Sequence, residues 1–130
     1  MKKIILFLLL TVSTNVFAEW TEVDRSKDGD ITSYADFGTI KKKGNKVKMW
    51  GLYDSKKVRK FENYRYLSSL TRFEYDCEEE TVKDLDIYWY SGNMRQGEIV
   101  LSTTNIKNEA TSILPMSIYE GLFKIACGKK

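Results

Sequence analysis

Leu114-Pro-Met-Ser-Ile-Tyr-Glu-Gly-Leu-Phe-Lys-Ile-Ala-Cys127 is the stretch whose reading decides the fold. Pro115 cannot extend a helix backwards, which marks a start just after it. Ser117 and Glu120 stand three apart, the spacing of a capping box in which each side chain satisfies a free N–H of the first turn. From Ile118 onward, Tyr119, Leu122, Phe123, Ile125 and Ala126 fall on one broad apolar arc at ~100° per residue, with Glu120 and Lys124 opposite. Leu122 is at the centre of that arc and is expected to be deeply buried. No comparable helical pattern occurs in residues 19–113, which read as strands, so the surface that receives this helix is a sheet.

Working outward to the start, Lys2 and Lys3 precede the apolar run Ile4–Leu10, and Val16-Phe17-Ala18 ends in a small residue. This predicts a secretory signal peptide over residues 1–18 and a single domain over 19–130, placed in the periplasm or secreted after cleavage near Ala18. The alternative is an uncleaved anchor, for which the apolar core is short. No cysteine lies near the cleavage point, so the product is not expected to be a lipoprotein. Without Lys2 and Lys3 the chain carries 19 basic and 18 acidic residues. That balance gives no general drive toward nucleic acid. Its distribution is uneven: residues 41–65 hold ten basic groups and two acids, and residues 74–86 hold seven acids and one lysine. The two cysteines, Cys77 and Cys127, are expected to pair in an oxidising compartment; two buried free thiols are the alternative.

In order, Trp20–Val23 and Ile31–Phe37 alternate as strands, separated by the turn Ser26–Gly29. Gly44-Asn45 signals a hairpin into Val47–Tyr53, where Val47 and Met49 oppose Lys48, Trp50 and Leu52. Gly51 in mid-strand predicts a bulge or close packing. Residues 54–63 are polar and basic without a period and read as a long loop. Tyr64–Cys77 is a strand. In Thr81–Tyr90, Leu85, Ile87 and Trp89 share one face with Lys83 near its edge, and Asp84, Asp86, Tyr88 and Tyr90 share the other. Glu98–Thr103 follows, then a polar connection over 105–112. The fold class is α+β: an antiparallel sheet of about six strands, one C-terminal helix on a face, and a disulfide from helix to strand.

These residues resemble the surface-adhesin protein E family of exported Gram-negative proteins. The resemblance rests on Trp20, on Tyr34-Ala35-Asp36 with Thr39-Ile40 and Gly44, and on Met49-Trp50-Gly51-Leu52-Tyr53-Asp54. It continues in Ser68–Cys77, in Tyr90-Ser91-Gly92-Asn93-Met94 with Gly97, and in Pro115-Met116-Ser117 with Glu120, Leu122 and Cys127. It implies a sheet-plus-helix fold, a Cys77–Cys127 bridge, and adhesin-like binding without catalysis. The family tends to place a tryptophan shortly before the closing proline, where this chain has Thr111-Ser112-Ile113.

The chain contains no histidine, which excludes Ser-His, Cys-His and His-metal arrangements. Asp84 and Asp86, expected on one exposed face, read as solvated rather than as an acid–base pair. No calcium-loop spacing occurs, and no cofactor is expected. Lys41, Lys42, Lys43, Lys46 and Lys48 surround the Gly44-Asn45 turn and are the better binding candidates, suited to a sulfated glycan or anionic lipid. Their other reading is an edge hairpin protected by lysines against strand pairing. Tyr88 and Tyr90 form a second candidate surface, for a protein partner, or else partial core. Basic and aromatic residues do not interleave as a nucleic-acid platform needs. The expected partners are a protein or an anionic glycan, with a homodimer through edge strands as a further association. The runner-up function is a periplasmic inhibitor or small-ligand binder.

Overall fold

The computed structural model describes residues 19–129, so the signal peptide expected over residues 1–18 lies outside the described residues. Eight strands and one α-helix occur among them: β1 (Thr21–Arg25), β2 (Ile31–Ala35), β3 (Lys41–Lys43), β4 (Lys46–Phe61), β5 (Tyr64–Asp76), β6 (Thr81–Tyr90), β7 (Ile99–Thr103), β8 (Thr111–Ser112) and α1 (Ile118–Cys127). Six of them form an open antiparallel sheet in the order β1-β2-β4-β5-β6-β7. The short β3 and β8 pair with β4 and β6 off that path. No described helix is long and apolar enough to cross a membrane.

The helix lies across one face. Leu122, Phe123 and Ala126 are buried there with Ala35, Val47, Met49, Phe73 and Tyr75. Leu122 is fully buried, as its place on the arc requires. Gly51 is where helix and sheet meet most closely. A Cβ built on it would come within 2.7 Å of Leu122 Cδ1 and 2.8 Å of Phe73 Cε2. The mid-strand glycine therefore marks close packing, because any side chain there would occupy the space of Leu122. The helix ends at Gly128 in the left-handed region, a conformation glycine adopts without a Cβ penalty. Cys127 at that end is bonded to Cys77, just past β5, with Cα atoms 5.6 Å apart.

Three local expectations change. Residues 54–63 are not a loop: β4 continues to Phe61, turns at Glu62-Asn63 and returns as β5, with Arg59 opposite Tyr66 and Phe61 opposite Tyr64. Lys56 to Phe61 are exposed throughout, and a ribbon buried on neither face shows no two-residue period. The capping box is also not formed. Ser117 Oγ donates to the Leu114 carbonyl at 2.7 Å, and Glu120 accepts from the Met116 amide at 3.3 Å while pairing with Lys124 at 2.9 Å. Finally, the pairing of β5 with β6 slips at Arg72/Phe73, so that Arg72 faces Asp86 and Phe73 faces Asp84, with Leu85 left over. This bulge reverses the alternation of β6. Asp84 shares the helix side with Ile87 and Trp89; Asp86 and Lys83 are on the other side with Tyr88 and Tyr90. The two aspartates do not share a face.

Candidate functional site

The sheet face away from the helix carries every side chain singled out for binding except Lys42. The ladder sets its rows. Lys43, Lys46 and Asp76 lie abreast, then Lys41, Lys48, Glu74 and Lys83, then Trp50, Arg72 and Asp86, then Tyr34, Leu52, Leu70 and Tyr88. Lys42 pairs with Val47 and belongs to the helix side, at the sheet's margin. The hairpin lysines are exposed, and Lys46 reaches Glu74 at 3.9 Å. Like charges directly opposite one another, Lys41 with Lys48 and Lys43 with Lys46, repel across the ladder. An anion set between them would relieve that repulsion.

Next to the lysines the face is aromatic. Trp50 and Tyr88 stack with centroids 6.3 Å apart, and Trp20 and Tyr34 pack around buried Leu52, Leu70 and Tyr90. A depression of about 420 Å³ opens here, bounded by Trp20, Trp50, Tyr88, Arg95 and Ile99. Tyr88 is half-buried and presents its ring. Tyr90 is 7% exposed and belongs to the core of this side, with Arg95 5.5 Å over its ring. It supports the surface rather than projecting from it. Arg72 and Asp86, in the row between lysines and aromatics, form an ion pair at 2.5 Å, and Asp86 also accepts from the Asn105 amide at 2.9 Å. Burial pushes the Asp86 carboxyl up; the Asn105 amide and Arg72 together outweigh that and hold it below the ordinary aspartate value. Neither aspartate is solvated as expected.

A second concavity, of about 470 Å³, lies on the helix side where α1 leaves β6 and the outer part of β5 uncovered. Its floor includes Thr71, Asp84 and Ile87; one wall is Trp89 with Tyr66 stacked on it at 4.2 Å, and the opposite lip is Ile113 to Tyr119. Nothing in the sequence reading anticipates this cleft. Tyr64 and Tyr66 meet Trp89 because β4 and β5 continue into the hairpin arm; the Leu85 bulge adds Asp84 to the same side. No group of three or more metal-ligating side chains occurs among the described residues.

The family model described as Surface-adhesin protein E matches residues 20–128. Among solved structures, the chain is similar to Haemophilus influenzae protein E in crystal form II, with a TM-score of 0.61 at 15% identity, covering 88% of this chain and 91% of that one. A second structure of Haemophilus influenzae protein E gives 0.60 at 14% identity, covering 88% of each chain. Protein E from non-typeable Haemophilus influenzae gives 0.56 at 15% identity, covering 87% of this chain and 78% of that one. At such identities the likeness establishes the fold. A sequence search among curated proteins finds no match.

Proposed function

The chain belongs to the surface-adhesin protein E family, and on that premise we propose that it is an exported, non-enzymatic binding protein whose uncovered sheet face contacts host or extracellular macromolecules. The observation that supports this reading is the placement of Lys41, Lys43, Lys46 and Lys48 beside the Trp50–Tyr88 aromatic surface on one face. A row of cations next to exposed ring faces suits an anionic glycan, or a protein segment that offers both charge and apolar area. The mature form is residues 19–130, released near Ala18 into the periplasm or beyond, without a lipid anchor. A homodimer through the free edges of β1 and β7 is a further association, read out by elution volume in size-exclusion chromatography.

Heparin chromatography tests the reading. Coulombic retention weakens as the Debye length falls from ~10 Å at 0.1 M salt to ~3 Å at 1 M. Replacing Lys41, Lys42, Lys43 and Lys46 by Gln is expected to abolish retention and leave the melting temperature almost unchanged, as is usual for exposed side chains. Equal elution salt for both proteins removes the lysines. The contact then rests on Tyr88 and Trp50, whose burial salt does not screen.

A further inference from the structure

The cleft on the helix side holds a charged group that the fold does not use. Asp84 stands opposite Phe73 on the helix side of β6, half-buried. Among the described residues it takes part in no ion pair and accepts no side-chain or backbone hydrogen bond, and its carboxyl is pushed up by burial alone. The field of Asp84 reaches the buried Tyr53 and Tyr75 hydroxyls and helps raise both, after burial and their tyrosine neighbours. A desolvated carboxylate without a partner costs free energy, and a cation arriving from outside would recover it.

The rest of the cleft narrows the kind of cation. Along β5, Phe73 opposite Asp84 and Ser69 opposite Trp89 are four residues apart, roughly 13 Å at ~3.3 Å per residue. Between them the floor is Ile87 and Thr71, suited to methylene groups. At the far end the wall is Trp89 with Tyr66 stacked on it, and Phe61 and Tyr64 are set edge-on behind Trp89. Arg59, opposite Tyr66, also lines this end; its guanidinium is 3.9 Å from Asp30, whose charge offsets its own. Ring faces attract ammonium groups. The volume of about 470 Å³ is that of a small-molecule site.

We infer that this cleft binds an elongated organic cation of the polyamine type, with one ammonium on Asp84, its methylenes along Ile87, and a second ammonium at the Trp89–Tyr66 wall. The site is on the opposite side of the sheet from the lysine and Tyr88 surface, so the two functions fail or hold separately. The overall charge of the chain is positive, so attraction of a polycation must be local.

Isothermal titration with spermine in ~0.15 M salt tests it, using the wild type, Asp84→Asn and Glu79→Gln. Asp84→Asn keeps the shape and removes the charge; loss of a charge-assisted hydrogen bond is expected to weaken binding roughly ten- to hundred-fold. Glu79→Gln, in the exposed acidic turn, is expected to leave it unchanged. A blocked lysine, N-acetyl-lysine amide, distinguishes sources: affinity matching that of spermine would assign the site to a lysine side chain and overturn the polyamine assignment. No binding by the wild type, equal binding by Asp84→Asn, or equal weakening by Glu79→Gln also overturns it. Heparin elution is read on the same proteins, and a change there with Asp84→Asn would mean the fold has shifted.

Discussion

The contact between Gly51 and Leu122 makes a quantitative prediction. A methyl at position 51 would stand 2.7 Å from Leu122 Cδ1 and 2.8 Å from Phe73 Cε2, against ~3.5–4.0 Å for an unstrained carbon contact. Both neighbours are buried, and overpacking of this kind costs about 1–3 kcal/mol. Leu122→Ala, at a site with no solvent exposure, costs about 2–5 kcal/mol through lost transfer energy and the cavity left behind. The double variant is not the sum. Removing Leu122 Cδ1 deletes one clash, Phe73 gains room to move from the other, and the new methyl fills part of the cavity. The coupling is expected to be at least ~1 kcal/mol in the stabilising direction, inside the range of ~0.5–3 kcal/mol seen for touching residues. Urea unfolding of the four oxidised proteins, followed by circular dichroism, measures the cycle. If the double variant equals the sum within ~0.5 kcal/mol, Leu122 does not rest on Gly51 and the docking of α1 is wrong.

Other expectations follow from the same packing and charges. The Cys77–Cys127 bridge, spanning 50 residues, is worth about 4 kcal/mol by chain entropy; Cys127→Ser is expected to lose roughly 2–5 kcal/mol, and two alkylatable thiols in the folded wild type under non-reducing conditions would contradict the bridge. Lys124→Ala, which breaks only the Glu120 pair on the polar arc, is expected to cost no more than ~0.5 kcal/mol. Burial raises the Asp84 carboxyl above its ordinary value of 3.8, so folding favours its protonated form. That stability is complete below pH 3.8 and is lost as pH rises through the raised value. Asp84→Asn is therefore expected to raise the melting temperature relative to wild type at pH 7 and to lose that advantage at pH 3.5; the same difference at both pH values refutes the desolvation of Asp84.

The parts of the fold written in local chemistry were legible. Leu122, Gly51 and the Cys77–Cys127 pair could be placed from apolar spacing, a mid-strand glycine and an even cysteine count. The misses have physical causes. The period of a strand reports one covered face, and Lys56–Phe61 has none, so a strand read as a loop. The bulge at Leu85 adds one residue without any glycine or proline to announce it, and everything upstream in β6 changed sides. That single slip moved Asp84 from an assumed solvated face to the floor of a cleft. Ser117 and Glu120 had the spacing of a capping box, yet Met116 at positive φ turned the preceding backbone so that Ser117 met Leu114 instead. The lysines and Tyr88 were found by composition; that they adjoin on one surface depends on the register of β4 with β5.

The order of the elements along the chain bears on how the molecule is made. Translation runs from the amino end, at ~5–20 residues per second. Every strand of the sheet is therefore made before α1, and Cys77 precedes its partner by fifty residues. Until α1 docks, Val47, Met49, Phe73 and Tyr75 have no lid, and a chain with an apolar sheet face and a free thiol is adhesive toward its neighbours. Chaperones that hold the unfolded chain, and the supply of oxidant where the two thiols meet, are therefore expected to affect the yield of this protein.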